Sequence, residues 1–281
     1  MVTNATPEML PKMKALWNDI FGDSLEYITC FFENNLQGET EFANQFVYLL
    51  EGQPVSMLTV LEGKLCGKET QKKFWYIYAV LTDKKHRKKG YAAQVLRHVL
   101  ALAEEQNITV GLVPASDALY LYYEKLGFRT FFYRGIEKKF LEGNVKQFSS
   151  QMVLEEATVS QYKRLRDAAC IGKYFVMWDE KAVKYALQEN EHLGGKAYVW
   201  KGTPYFLLVC PVEEELVVRE TNLPVTVLQD ICNQLGTMFH CKTVTVSMLP
   251  FGANDRKAVR HGMIYNSDIE DSMGYLGLAL D

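Results

Sequence analysis

The chain has 281 residues, with 31 lysines and arginines against 34 aspartates and glutamates and a formal net charge of −3. A hydrophobic content of 48% with 12% aromatic residues is typical of a folded globular protein and excludes a largely disordered one. Because a domain commonly spans about 150 residues, the length predicts two domains.

Neither a membrane span nor a metal site is expected. No apolar run reaches the roughly 18 residues of a membrane-spanning helix, and the N-terminal residues lack the basic and apolar pattern of a secretory signal. The six cysteines show no CxxC spacing or nearby histidines, so we expect structural thiols and no zinc ligands. These features favour a cytoplasmic protein without a bound metal and without a membrane partner.

Two amphipathic helices are predicted at the N-terminus. Thr6, followed by proline, is a suitable helix start, and apolar residues then recur at helical intervals over residues 10–20. Ser24 can cap a second helix, whose end is expected at Gly38.

Extended segments follow these helices. Two apolar runs around the turn at residues 51–54 predict a β-hairpin, and a third strand is expected over residues 64–70. Residues 74–81 are aromatic, β-branched and apolar without a polar face, which predicts a central strand that is covered on both sides.

A basic turn and an amphipathic helix come next. Residues 84–89 are all basic, Gly90 follows them, and apolar residues recur at helical spacing from Tyr91 to Ala103. A helix start exposes unpaired N–H groups and the positive end of the helix dipole, and a glycine lets a ligand approach the backbone closely. The pattern therefore predicts a site for a phosphate or pyrophosphate.

Other interpretations of the basic turn are less well supported. A solvated surface loop is the simplest alternative. A Rossmann or P-loop site is excluded because neither GxGxxG nor GxxxxGK[ST] occurs here. A nucleic-acid surface is disfavoured because acidic residues outnumber basic ones and no second basic cluster or stacking-aromatic motif accompanies the turn.

A second motif lies beyond a strand predicted over residues 108–113. Residues 114–128 read PASDALYLYYEKLGF, a helix that ends at Gly127. Together with RKKGYA at residues 87–92, it resembles the [QR]xxGx[GA] and YEKLGF signatures of the GNAT acetyltransferases, over roughly residues 1–140. The resemblance implies an α/β GNAT fold, a mixed central sheet flanked by helices.

The resemblance also implies the site. Backbone amides of the first signature would bind the acetyl-CoA pyrophosphate, and the central strand would open from its neighbour so that the pantetheine arm pairs with its backbone. The implied acetyl-CoA contacts are Val80, Leu81, Thr82, Arg87, Lys88, Lys89, Gly90, Tyr91, Ala92, Ala93 and Ser116. Tyr123 occupies the tyrosine of the second signature, whose hydroxyl can protonate the departing thiolate.

The second half repeats part of this pattern. A strand over residues 152–157 and helices over 159–170 and 179–190 are predicted, and the turn at 201–204 repeats the xGxP of residues 51–54. A helix over 225–238 and a strand over 243–248 match the helix after the basic turn and the strand at 108–113. Gly262 and Met263 match Gly127 and Phe128.

The site residues are absent from this second pattern. Pro224 stands where the first half has its glycine turn, and it has no N–H to donate. Ala258 corresponds to Tyr123. We expect an active GNAT domain over residues 1–150 and a degenerate GNAT-like domain over 151–281, with unrelated halves as the alternative.

The predicted function is an acetyl-CoA-dependent N-acetyltransferase that moves an acetyl group to a primary amine by direct attack on the thioester. The alternative is a pseudoenzyme that binds acyl-CoA, or a partner, without transfer. The sequence identifies no general base, since the central strand has no glutamate, although Tyr76 or Tyr78 can hold a water.

Charge is segregated along the first half. No lysine or arginine occurs over residues 15–63, whereas nine occur over residues 64–89. The acidic residues of the first stretch are Asp19, Asp23, Glu26, Glu33, Glu39, Glu41, Glu51 and Glu62. In the GNAT family the first two helices wall the acceptor side, so we expect a small cationic amine, such as a polyamine, an aminoglycoside-like amine or a basic peptide. A solvated coat on two surface helices is the alternative.

Overall fold

The computed structural model describes residues 1–35, 41–141, 153–250, 258–269 and 273–278. The helices in these ranges are α1 (Leu10–Phe21), α2 (Leu25–Asn35), α3 (Tyr91–Glu105), α4 (Asp117–Glu124), α5 (Val159–Cys170), α6 (Glu180–His192) and α7 (Val225–Met238). The strands are β1 (Val2–Asn4), β2 (Gln45–Leu50), β3 (Gln53–Cys66), β4 (Gln71–Thr82), β5 (Thr109–Leu112), β6 (Arg129–Phe140), β7 (Leu154–Glu156), β8 (Tyr174–Met177), β9 (Lys196–Trp200), β10 (Phe206–Val212), β11 (Glu215–Thr221), β12 (Thr243–Met248), β13 (Ala258–Tyr265) and β14 (Gly274–Tyr275).

The chain divides into two compact units, and each takes a segment from the other half of the sequence. The first unit comprises Met1–Gly63, Lys72–Arg129 and Met263–Asp268. The second comprises Lys64–Gln71, Thr130–Gly262 and Ile269–Asp281. The predicted boundary near residue 150 lies outside the described residues.

The first unit is a mixed sheet with strand order β1-β2-β3-β4-β5-β13. The β2–β3 hairpin is antiparallel, β4 and β5 are parallel, and Met263–Tyr265 of β13 runs antiparallel to β5. One face packs against α3 through Val95, Leu96 and Val99. The other face carries Tyr78, whose ring contacts the rings of Trp17 of α1 and Phe31 of α2. The predicted hairpin, central strand and amphipathic helix are confirmed.

The third strand predicted over residues 64–70 is wrong. Lys64–Cys66 is the last part of β3. This last part, unlike the rest of β3, belongs to the second unit and pairs with β8. Gly67 then begins a turn closed by its N–H to the Thr70 carbonyl at 2.8 Å. A Cβ on Gly67 would lie 2.5 Å from the Tyr174 ring, so the turn is also fixed by packing.

The helix starts are partly as predicted. The Ser24 hydroxyl accepts a hydrogen bond from the Tyr27 N–H at 3.1 Å, which confirms its capping role. Thr6 makes no side-chain cap, because Pro7–Met9 forms a 3-10 turn before α1 begins. The predicted end at Gly38 lies outside the described residues.

The second unit contains a sheet of order β6-β12-β11-β10-β9-β7. Its β11 and β12 are parallel, and β6 runs antiparallel to β12. One face packs against α7 through Leu216, Val218 and Val246. The helices α5 and α7 and the strand β12 have their predicted bounds, whereas β8 and β11 were not predicted.

The predicted match between Gly262-Met263 and Gly127-Phe128 does not extend to their conformations. Gly127 follows α4 with a φ of 92°, in the left-handed region that favours glycine. Gly262 lies inside β13. The two glycines therefore have different structural roles.

Candidate active site

The strands β4 and β5 separate at the centre of the first unit. Their parallel register runs only from Phe74↔Thr109 to Tyr76↔Gly111. The strand β4 continues to Thr82, so its residues 77–82 have no partner on β5. Backbone groups on this side of β4 are therefore available to an extended ligand.

A bulge at Ala79 changes which way the side chains of β4 point. Ala79 has a φ of 51°, which is unusual for a residue other than glycine. Trp75 and Ile77 pack in the core against α3, and the next residue to do so is Val80. Because side chains on a regular strand alternate, this shift by one residue marks a β-bulge in the separated part of β4.

Hydrogen bonds from residues of β3 fix the position of the end of β4. The Ser56 hydroxyl donates to the Leu81 carbonyl at 2.7 Å and lies 2.9 Å from the Thr82 hydroxyl. The Asp83 N–H donates to the Val55 carbonyl at 2.9 Å. These bonds fix the strand while leaving its β5 side open. Ser56 is fully buried and was not among the residues predicted for this site, because nothing in the sequence distinguishes it from Thr59, another fully buried hydroxyl residue of β3.

The basic turn leads into α3 through two left-handed residues. Lys88 has a φ of 61° and Gly90 a φ of 80°. Gly90 is the N-cap of α3, and no side chain caps the helix. The Gln94 N–H is bonded to the Gly90 carbonyl at 3.0 Å, which leaves the preceding N–H groups of Tyr91, Ala92 and Ala93 without an intrahelical acceptor.

The turn is open to solvent on its ligand side. Arg87, Lys88, Lys89 and Gly90 are exposed, and a Cβ on Gly90 would meet no atom within 4 Å. Left-handed residues before a helix N-terminus are typical of anion-binding concavities. The Asp83 carboxylate accepts a hydrogen bond from the Lys85 N–H at 2.8 Å. This bond lowers the pKa of Asp83, because its effect is larger than the opposite effect of burial.

The second motif forms α4. Ser116 is its exposed N-cap and makes no side-chain cap, so its hydroxyl is available to a ligand. Tyr123 is 6% exposed and packs in the α3 core against the rings of Tyr122 and Phe128. Burial, with a smaller contribution from Tyr122, raises the pKa of Tyr123 well above its ordinary value. Its hydroxyl makes no hydrogen bond within the described residues.

The opposite face of β4 is aromatic. The Tyr78 ring lies 5.7 Å from that of Trp17 and 5.4 Å from that of Phe31. The Tyr78 hydroxyl is 3.3 Å from the Tyr27 hydroxyl of α2. Tyr76 is buried beside Tyr78. The two tyrosines named as water-holding candidates therefore share one face, and Tyr78 is the more accessible.

The first half matches a known family. The model of the Acetyltransferase (GNAT) family covers residues 10–128. This part of the chain belongs to the GNAT family. The match spans the separated strands, the basic turn and α4, and it supports an N-acyltransferase activity.

Solved GNAT structures extend the likeness of fold beyond this match. A GCN5-related N-acetyltransferase from Kribbella flavida superposes with a TM-score of 0.73 at 13% identity, over 94% of this chain and 70% of that chain. One from Anabaena variabilis gives 0.73 at 15%, over 94% and 72%. Eis1 from Mycobacterium abscessus gives 0.64 at 9%, over 94% and 73%. These identities show the fold alone. No curated protein matches the chain.

The second unit lacks the GNAT features of the first. The pairing of β11 with β12 has an irregularity between Val218 and Thr221 but is present again at Thr221↔Met248, so these strands do not stay apart as β4 and β5 do. The N-cap of α7 is Pro224, and the Leu223 N–H is already bonded to the Thr221 hydroxyl at 3.1 Å. The described residues of this unit therefore offer no open strand and no glycine turn for acetyl-CoA.

Two general features complete the description. No helix in the described ranges is long and apolar enough to cross a membrane. Across those same ranges, no group of three or more histidine, cysteine, aspartate or glutamate side chains is placed to hold a metal ion.

Proposed function

We propose that the first unit is an acetyl-CoA-dependent N-acetyltransferase that acts on a primary amine, and that the second unit is a degenerate GNAT copy. One observation carries the proposal: β4 separates from β5 after Tyr76, and the uncapped start of α3 at Gly90 follows at the open end of β4. An extended arm can pair with an open strand edge while its phosphates meet the helix N-terminus.

Acetyl-CoA binding is assigned to backbone groups. The pyrophosphate accepts hydrogen bonds from the amides of the segment from Arg87 to Ala93, and the basic side chains add charge attraction. The pantetheine amides pair with the backbone of Val80, Leu81 and Thr82. Ser116, at the start of α4, contributes a hydroxyl to the cofactor.

The transfer needs little further chemistry because the thioester already stores the driving force. A neutral amine attacks the carbonyl carbon, and a backbone N–H of β4 near the bulge stabilises the oxyanion. As the C–S bond breaks, the Tyr123 hydroxyl donates a hydrogen bond to the leaving sulfur, and the thiolate takes up a proton through this hydroxyl as water re-protonates it. The amine proton leaves through water on the Tyr78 face, where no carboxylate lies on β4.

A cationic acceptor is part of the proposal, but fewer carboxylates support it than the sequence offers. Asp19 is paired with Lys84 at 2.9 Å, and Asp23 accepts a hydrogen bond from the Trp17 indole at 2.7 Å. These two are therefore less available to an acceptor. The remaining support comes from glutamates such as Glu26 and Glu33 on α2.

The cofactor site is tested with two matched glycine variants. Gly90 and Gly172 both have a φ of 80° and open space around the Cβ position. Because the backbone strain of a substitution is alike at both, Gly90→Val should weaken acetyl-CoA binding by about tenfold or more, roughly 1.4 kcal/mol, while Gly172→Val leaves it unchanged. Calorimetric titration measures both affinities, and equal affinities for the two variants would contradict pyrophosphate binding by the turn at Gly90.

The reaction is tested by thiol release with cationic, neutral and anionic amines of similar size. We expect turnover with a cationic amine and a rate that falls with added salt, because charges are screened within about 10 Å at 0.1 M. A preference for the anionic amine would refute the cationic acceptor alone. Acetyl-CoA binding without turnover of any amine would favour the binding-only alternative.

A further inference from the structure

The second unit contains a cavity of about 270 Å³ on the sheet face opposite α7. The strands β6, β11 and β12 form its floor, and α6 and residues 275–278 lie around it. Since one water occupies about 30 Å³ of liquid, this space corresponds to about nine waters. It is large enough for a ligand of amino-acid size and too small for coenzyme A.

The floor of the cavity carries polar side chains among apolar ones such as Ile136, Leu208 and Val217. On β12, Val244 and Val246 pack against α7, whereas Thr245 and Ser247 line the cavity. On β11, Val218 packs against α7, whereas Arg219 lines the cavity. A polar sheet face over an enclosed space is unfavourable unless water or a ligand satisfies it.

Two arginines, Arg134 and Arg219, line the cavity, and the guanidinium of Arg219 lies beside the Cys210 thiol. No carboxylate in the described part of the chain lies within ion-pair distance of its guanidinium. Arg166 of the same unit, by contrast, pairs with Glu220 at 3.1 Å and with Asp167 at 3.1 Å. The unit therefore neutralises the buried Arg166 with two carboxylates, whereas the half-buried Arg219 faces the cavity without one.

Glu220 also lines the cavity but is not available to Arg219. Its Oε1 accepts hydrogen bonds from Arg166 at 3.1 Å and from the Tyr275 hydroxyl at 2.8 Å, and its Oε2 accepts from the Tyr162 hydroxyl. The carboxylate is therefore fixed by three donors inside the protein. Its charge and that of Glu189 on α6 offset the two arginines that line the cavity, Arg134 and Arg219, so the cavity favours a singly charged anion over a dianion such as phosphate.

Ser247 provides a second anchor. Its side chain is 8% exposed and lines the cavity, and the hydroxyl makes no hydrogen bond to another described residue. A guanidinium recognises a carboxylate through two parallel N–H donors, and a hydroxyl can add a third bond. We propose that this cavity binds a small organic monocarboxylate of amino-acid size, held by Arg219 and Ser247.

The proposal is tested on the full-length protein with named probes. Acetate, succinate, citrate, the common amino acids and inorganic phosphate are titrated by calorimetry at constant ionic strength, with the thermal midpoint as a second readout. We expect saturable binding of acetate or of at least one amino acid, and at least tenfold weaker binding of the multiply charged succinate, citrate and phosphate.

Matched variants locate the binding. Arg219→Gln should weaken the binding of the best probe at least tenfold, whereas Arg164→Gln, at an exposed arginine of α5, should not change it. Ser247→Leu, which fills the cavity and keeps the arginine, should also abolish binding, and it serves as the test if Arg219→Gln does not fold. The absence of binding by every carboxylate, equal binding of phosphate, or unchanged affinity in the folded variants would overturn the proposal.

Discussion

Tyr123 illustrates how burial determines the behaviour of a single group. The raised pKa keeps its hydroxyl protonated at neutral pH, so it remains a hydrogen-bond donor throughout the working range. A free thiol has a pKa of about 8.5, so complete proton transfer from Tyr123 to a thiolate is uphill. The contribution of Tyr123 to the rate should therefore be near the lower end of the roughly 10²–10⁴-fold range for general acid catalysis.

Tyr123→Phe should lower turnover by about 10²-fold and leave acetyl-CoA affinity within a factor of about two, because the ring is kept and only the donor is lost. The loss should be the same at pH 7 and pH 9. Steady-state kinetics with the best amine measure it. The control is Tyr120→Phe, a buried tyrosine of the same helix. Normal turnover by Tyr123→Phe would make Tyr123 a packing residue.

The buried network around Glu220 makes the second unit sensitive to alkali. Burial, followed by the Glu220 carboxylate, raises the pKa of Tyr162 and of Tyr275 well above the ordinary value of 10.0. Burial also raises the pKa of Cys170 to about 12. A raised pKa in the folded state gives stability that is present below the unfolded pKa and is lost as pH rises through the folded one.

The free energy of unfolding should therefore fall as pH increases above 9 to 10, by about 1.4 kcal/mol per pH unit for each tyrosine. Tyr162→Phe should reduce this slope by one such contribution, and at pH 8 it should destabilise the protein by about 1–3 kcal/mol, because Glu220 loses a donor. Urea unfolding between pH 8 and 11 tests this, with the half-buried Tyr205→Phe as the control. An unchanged slope in Tyr162→Phe would contradict the assignment.

At the scale of elements, the bulge in β4 opposes ordinary strand preferences. Valine favours strands, but a β-branched residue is strained at the positive φ of Ala79. Ala79→Val should therefore destabilise the protein by about 1–3 kcal/mol. Ala197→Val, on β9 with ordinary backbone, should be nearly neutral. Urea denaturation of both compares them, and an equally mild effect at Ala79 would argue against a strained bulge.

The sequence predicts elements well where a local pattern determines them. The spacing of apolar residues gives α5 and α7 their bounds, and the glycine after the basic run gives the start of α3. The bulge at Ala79 carries no local signal, since an alanine inside an apolar strand is unremarkable. Lys64–Cys66 also carries no local signal of its true role. The sequence predicts a separate strand there, because the pairing of these residues with β8 depends on residues more than a hundred positions away.

At the scale of the molecule, the two halves of the sequence are not the two folded units. The strand next to β5 in the first unit is Met263–Tyr265, from the second half of the sequence, and the strand next to β12 in the second unit is β6, from the first half. Asn266 adds to the first edge, because its side-chain amide donates to the Ile108 carbonyl at 2.9 Å. Two units that each take a segment from the other half of the sequence need both halves present.

A fragment of residues 1–141 should therefore fold poorly by itself. Without Met263–Tyr265 it exposes the edge of β5, where Leu112 and Gly111 lose their partners, and it buries less apolar surface. We expect aggregation or a non-cooperative urea transition, and no acetyl-CoA binding. Co-expression with a separate chain of residues 153–281 should restore a soluble complex that binds acetyl-CoA with the affinity of the intact protein. A cooperative, acetyl-CoA-binding fragment of residues 1–141 would show that the exchanged strand is dispensable.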